Sequence, residues 1–357
     1  MRKILVIESD DWGSIRMPSL ASFEKLEKSG LDLRSADAER FNLNDTLATS
    51  QDLGNLFEVL SGIKDKNGIY ATFTPLTIVA NPNFQKIKES NFQNYFYEPF
   101  TETLKRYAGC EHSFDLWQEG IEKKMFVPQM HGREHLNVSA WMKDLKTGER
   151  DTLLAFDEGM WGFVPSKYPE TDYQAAFLLA DPAELEYQKN IITEGTQLFE
   201  TIFGYKAEYF VPPNGPFNNS LNKTLADNGI KLRSSSKIQE EPLGFGNKRK
   251  VLHYLGQKER NGIRFITRNC FFEPGQSGKD WIDSCLYDIK TAFRWHKPAI
   301  ISSHRVNYIG AINPANRDNG LLLLSRLLLE IIRIWPDVEF MTTPQLGELM
   351  NKDENNG

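Results

Sequence analysis

Short apolar runs of strand length alternate with longer stretches of helical periodicity along nearly the whole chain, and nothing else in the sequence narrows its fold as much. The strand-like runs are Ile4–Ile7, Gly68–Phe73, Phe126–Gln129, Ala207–Val211, Gly262–Thr267, Ala299–Ser302 and Val338–Met341. Between them lie helical stretches at Leu20–Ser29, Asp52–Lys64, Glu184–Phe203, Asn218–Asn228, Ser284–Trp295 and Gly320–Trp335. In the last of these, Leu321, Leu324, Leu328, Ile331, Ile332 and Trp335 share one face. Such alternation favours a parallel sheet, closed or nearly closed, over a sandwich. The expectation is an α/β fold, a distorted (β/α) barrel with about seven strands. Active sites in such folds gather at the C-terminal ends of the strands.

One domain accounts for residues 1–350, and 351–357 (NKDENNG) reads as a disordered tail. The stretch from about 137 to 182 breaks the alternation and is expected as an insertion over the C-terminal face of the barrel. Arg34–Thr49 is a second, smaller candidate. The net charge of −6 argues against nucleic acid or an anionic membrane as the main partner. The three cysteines, Cys110, Cys270 and Cys285, form no CxxC, so neither a disulfide framework nor a cysteine-rich zinc site is indicated. No apolar run reaches membrane-spanning length and no signal peptide is visible, which predicts a cytoplasmic protein.

Four stretches carry candidate chemistry. Ile4–Ile7 runs into Glu8, Ser9, Asp10 and Asp11. Adjacent carboxylates after a buried strand repel and cost desolvation, so a metal or a proton transfer explains them better than an Asp-rich turn. His131-Gly-Arg-Glu-His135 follows a strand; histidines at i and i+4 on a helical turn face one way and can share a divalent metal. The same residues fit the H-x-x-E-H pattern of a protease class with Glu134 as base. Phe210-Val-Pro-Pro-Asn-Gly215 is a rigid turn able to aim a backbone N–H at a fixed point. Ile300–Ser303 ends in His304, with Arg305, Asn307 and Tyr308 behind it. Trp12, Trp141, Trp161 and Trp281 are candidate sugar platforms, although core packing is the commoner role of any one tryptophan.

In this order the four stretches resemble the polysaccharide deacetylases, carbohydrate esterases with a NodB homology domain, of which the chain looks like a divergent member. The resemblance spans roughly 1–135 and 190–350. It implies a distorted barrel and a divalent metal, most commonly zinc, held by Asp11, His131 and His135. It also implies Asp10 as base toward a metal-activated water, His304 as acid toward the leaving group, and the backbone N–H of Asn214 as an oxyanion donor. The implied substrate is an N- or O-acetylated sugar, oligosaccharide or polysaccharide.

The chain departs from the family pattern in several places. Glu8-Ser9 stands before the Asp pair where the family has Thr-Phe. Val211 stands where an arginine pairs with the base, and Arg268 or Arg305 is the expected substitute from another strand. The aspartate that orients the acid histidine has no match. The competing readings are a glycoside hydrolase using Glu8, Asp157 or Glu158, the protease, and a barrel that binds glycan or metal without turnover.

Overall fold

The computed structural model describes residues 2–35, 38–164 and 173–355. Among them are thirteen strands, nine of which form one parallel sheet. These are β1 (Lys3–Trp12), β2 (Phe73–Ile78), β5 (Gln129–Gly132), β6 (Tyr209–Phe210), β7 (Leu232–Ser234), β10 (Arg264–Ile266), β11 (Cys270–Phe271), β12 (Ala299–His304) and β13 (Val338–Phe340). The remainder make two antiparallel pairs, β3 (Ala80–Pro82) with β4 (Tyr97–Pro99) and the hairpin of β8 (Ile238–Gly244) with β9 (Asn247–Leu252).

The sheet order is β10-β7-β6-β5-β2-β1-β12-β11, and β13 pairs with the start of β1. The two edges are halves of one bent stretch. Residues 264–266 pair with β7, and three residues later 270–271 pair with β12. The sheet thereby curls round on itself, and with β10 and β11 taken as one bent strand, seven strands surround a common interior. This is the distorted (β/α) barrel that the alternation predicts.

β1 is buried from Ile4 to its end because it serves two cores. Ile4 and Val6 join Leu76, Tyr209, Leu232, Ile266 and Ile300 inside the barrel. Leu5 and Ile7 join Phe73 and Ile301 against the helices outside. That is the period-two division of a strand. Leu346, on the final helix Thr343–Asn355, adds to the interior cluster at the end where the strands begin. This helix absorbs most of the expected tail; residues 356–357 lie outside the described residues.

Helices Leu20–Lys28, Ser50–Ser61, Leu185–Phe203, Trp281–Arg294 and Pro314–Ile334 lie where the periodicity puts them. The sequence misplaces the second strand, which is Phe73–Ile78 and not Gly68–Phe73. Pro75 is the reason, because a proline removes a ladder donor and argues against a central strand. Here β1 accommodates it with a bulge. Ser9 pairs with Pro75 and Trp12 with Thr77, so Asp10 and Asp11 together oppose Leu76.

The expected insertion has two parts. Helices Val138–Thr147 and Arg150–Asp157 pack Trp141 and Phe156 against Phe84 on the barrel's flank. The chain then returns to the mouth, where Gln174 and Leu178 face a cavity; 165–172 lie outside the described residues. Among the described residues, no helix is long and apolar enough to cross a membrane.

Candidate metal centre and active site

The bulge that accommodates Pro75 also shapes the mouth. Asp11 sits in the left-handed region at φ 76°, which Asp tolerates better than most residues. The reversal breaks the strand's alternation, and both Asp10 and Asp11 face one cavity of about 570 Å³. His131, His135, Asn214, Arg268 and His304 line the same cavity.

His131 and His135 do not sit on a helical turn, as their spacing suggests. His131 belongs to β5, Gly132 turns the chain at φ 146°, and His135 lies in a bend ahead of the helix that Asn137 caps. The rings still meet, with centroids 5.1 Å apart. His131 Nε2 lies 3.3 Å and His135 Nε2 3.1 Å from Asp11 Oδ1. Trp161, from the insertion, stacks on His135 with ring centroids 6.1 Å apart.

The donor chemistry of this cluster fits a cation. His131 Nδ1 lies 2.8 Å from the Val211 carbonyl, which can only accept, so Nδ1 carries the hydrogen. Nε2 is therefore the ring atom turned toward the Asp11 carboxylate, and it is buried with no hydrogen-bond partner. A backbone carbonyl that fixes the tautomer is the usual companion of a ligating histidine. One ligand atom from each of Asp11, His131 and His135 lies within 4.8 Å of the others. Burial opposes ionisation of Asp11, but the two imidazoles outweigh it and hold the carboxyl well below its usual range.

Of the two arginines, Arg268 and Arg305, it is Arg268 that pairs with Asp10. It lies in the three-residue step between β10 and β11. Its Nη1 and Nη2 donate to Asp10 Oδ2 and Oδ1, each at 2.6 Å, and its Nε donates to Glu8 Oε2 at 2.6 Å. Glu8 is wholly buried and also accepts from Tyr209 Oη at 2.9 Å and Thr343 Oγ1 at 2.6 Å. Burial raises the Asp10 pKa, yet the bidentate guanidinium more than offsets this and keeps it below the ordinary value.

His304 is the register partner of Asp10 on the neighbouring strand. Its Nδ1 lies 2.6 Å from Glu273 Oε1, and Arg40 and Asn307 hold the other oxygen of that carboxylate at 2.8 and 2.9 Å. Burial lowers the His304 pKa, but Glu273 prevails and pushes it up to about 10. Sequence reasoning missed Glu273. The signal was the same one β1 gives: a short apolar run, Cys270–Phe272, ending in a carboxylate.

Other candidates lie elsewhere. Trp12 is 1% exposed, donates to Ser9 Oγ and packs edge-on against Phe126, so it belongs to the core and offers no platform. Arg305 is fully buried, pairing with Asp45 and donating to the Ser14 carbonyl at 2.6 Å; it holds the β1 loop. Glu134 is buried beside Arg133 at 2.7 Å, away from the cavity, and leaves the protease reading without its base. Asp157 and Glu158 pair with Lys88 and Lys25 and line no part of the cavity. Asn214 stands at the mouth at φ 52°, in the turn closed by Gly215 N–H donating to Pro212 O at 3.1 Å.

No protein-family model matches the chain, and no curated relative does. Among solved structures it is similar to the 4-alpha-glucanotransferase from Thermococcus litoralis, at 9% identity and TM-score 0.47, over 97% of this chain and 40% of that one. It is also similar to the alpha-amylase AmyC from Thermotoga maritima, at 10% identity and TM-score 0.43, over 97% and 74%. A third likeness is to the Xyl-CE4 domain of a multidomain xylanase from the hindgut metagenome of Trinervitermes trinervoides, at 10% identity and TM-score 0.39, over 98% and 92%.

Proposed function

We propose that the chain is a metal-dependent carbohydrate deacetylase, a divergent relative of the polysaccharide deacetylases. One observation carries the reading. Asp11, His131 and His135 converge in the same cavity as an arginine-clamped carboxylate and a carboxylate-oriented histidine. A divalent ion such as zinc, held by Asp11, His131 and His135, would supply Lewis-acid polarisation of the acetyl carbonyl and a lowered water pKa.

The chain's own groups do the rest. Asp10 is kept ionised by Arg268 and takes the proton of the attacking water on a carboxylate oxygen. The fork occupies one lone pair of each oxygen and leaves the others open. Glu273 holds the hydrogen on His304 Nδ1, and the protonated imidazole gives the Nε2 proton to the departing amine or alcohol. The Asn214 backbone N–H is assigned to the developing oxyanion. The substrate is accordingly a sugar or glycan carrying N- or O-acetyl groups.

The test is a metal analysis beside an acetate assay. Wild type is expected to hold about one equivalent of divalent metal and His131→Ala to lose it. Metal-loaded wild type is expected to release acetate from acetylated sugars, and Asp10→Asn to fall to background. Absence of metal after loading, or acetate release untouched in Asp10→Asn, would overturn the reading.

A further inference from the structure

We propose that the cavity is a bay closed on all sides but one, admitting the end of a glycan or a short oligosaccharide and excluding the interior of a running chain. This rests on the deacetylase reading for its chemistry and on the rim of the cavity for its shape.

The rim is stitched together by contacts between elements far apart in sequence. On one side Arg16, in the loop after β1, hydrogen-bonds Gln174 of the insertion and lies 3.5 Å from Asn42 Oδ1 on the helix Ala38–Asn44. The same helix sends Arg40 to Glu273, beside His304, and turns Phe41 into the cavity, edge-on to the His304 ring. Insertion, β1 loop, helix and strand end therefore form one continuous wall.

On the other side the insertion meets the hairpin β8–β9. Phe245 N–H donates to the Ala180 carbonyl at 2.7 Å. Gly244 presses on Pro182 so closely that a Cβ would lie 2.4 Å from its Cδ, at a φ of 88° that also excludes most side chains. Asn218 Nδ2 donates to the Pro242 carbonyl at 2.8 Å, tying the hairpin to the helical turn that follows the proline loop. Gln174, Leu178, Pro242 and Lys248 face the cavity from these walls.

The arc across Arg268, between Ser234–Ile238 at the base of the hairpin and His304 beside the Glu273 loop, also lines the cavity, and the opening is assigned to it. A polymer lying across a site needs two openings, whereas one admits only an end. The volume of about 570 Å³ suits roughly one or two sugar rings.

The experiment uses metal-loaded full-length protein and N-acetylglucosamine oligomers from one to six units, with colloidal chitin as the polymer. Acetate release is followed, the deacetylated unit in the hexamer is mapped by tandem mass spectrometry, and binding is measured by calorimetry. The expected result is loss of acetate from a terminal unit, a rate per chain that stops rising beyond two units, and little turnover of polymer. Acetate lost from internal units at a rate rising with length would overturn the bay and leave the deacetylase standing. Binding that levels off at two units without acetate release would do the reverse. Neither binding nor release would overturn both. In Gly244→Leu, which forces the hairpin off Pro182, internal units of the hexamer should lose acetate at least tenfold faster relative to terminal ones; an unchanged pattern in this folded variant would count against the bay.

Discussion

The two halves of the barrel interior are built on opposite principles from the same strands. In the lower half Ile4, Val6, Leu76, Leu232, Ile266 and Ile300 pack side by side with Leu346, and every one is buried. One turn of the alternation higher, β1 places Glu8 and then Asp10 on the same face, with Arg268 forked between them. The lower half gains free energy by losing water, about 1.5–3 kcal/mol for each large side chain. The upper half is dehydrated too, but its charges cost free energy unless each finds a partner. The apolar half thus behaves as a platform that tolerates exchange of shape. The ionic half is an all-or-nothing assembly whose geometry is fixed by pairing, as the proposed proton transfers would require.

The sharpest break of this contrast is Arg268→Ala. It strands two buried carboxylates, and unfolding should be easier by about 3–5 kcal/mol, read by chemical denaturation of metal-free protein. The pH slope should also invert. In wild type the Asp10 pKa lies below its unfolded value of about 3.9. Its stabilising contribution is therefore complete above that value and is lost as pH falls through the folded pKa. Without Arg268, burial becomes the dominant influence and raises the Asp10 pKa above its unfolded value. The variant then gains stability relative to wild type as pH falls toward 4. A parallel loss at pH 5 and pH 8 would mean that Arg268 does not set the ionisation of Asp10.

In the apolar half, Leu76→Ala should cost a comparable or smaller amount, about 2–5 kcal/mol, through lost burial and a residual cavity. It should do so evenly from pH 5 to pH 8, with metal content and acetate release per folded molecule unchanged. Loss of metal at full folding would show that the lower half positions the ligands directly and is more than their support.

What the sequence shows of these halves follows from how far each signal travels along the chain. The apolar alternation is local, so β1, β10, β12, β13 and the long helices are legible from it. The strands β7 (Leu-Arg-Ser) and β11 (Cys-Phe) lack the longer apolar run that surrounds β10 and β13, so no period marks them. The proline in β2 hides a strand because its tolerance depends on a bulge in a neighbour some sixty residues away. The site divides in the same way. Asp10, Asp11, His131, His135, Asn214 and His304 each stand at the end of a strand or in a turn, which the order of motifs exposes, and the structure brings all six to one cavity. Arg268 was one of two arginines the sequence left open, and the choice depends on the bend that joins β10 to β11. Trp12 and Arg305 looked like site residues because they flank the motifs. Their side chains point into the core, a fact set by register and not by proximity in sequence.

The smallest expected effect concerns the partner of His304, the acid of the proposed reaction. If Glu273 merely packs there, Glu273→Gln should lower stability and leave the shape of the pH–rate profile alone. If its charge sets the acid, the profile must move. With Glu273 in place the His304 pKa stands at about 10, so the acid stays protonated across neutral pH and activity should persist until pH rises past that value. Glutamine still accepts the Nδ1 hydrogen bond but removes the charge, so the imidazole pKa falls and the alkaline limb moves to lower pH. At pH 8 kcat should drop about ten- to a hundredfold, within what a general acid contributes, with KM little changed. Arg40→Ala, which loosens Glu273 from behind at 2.8 Å, should move the limb the other way by a smaller amount, because an unshared carboxylate attracts the imidazolium more strongly. Opposite displacements from two neighbouring substitutions would identify the electrostatic role, since a purely structural contact gives no reason for the sign to change.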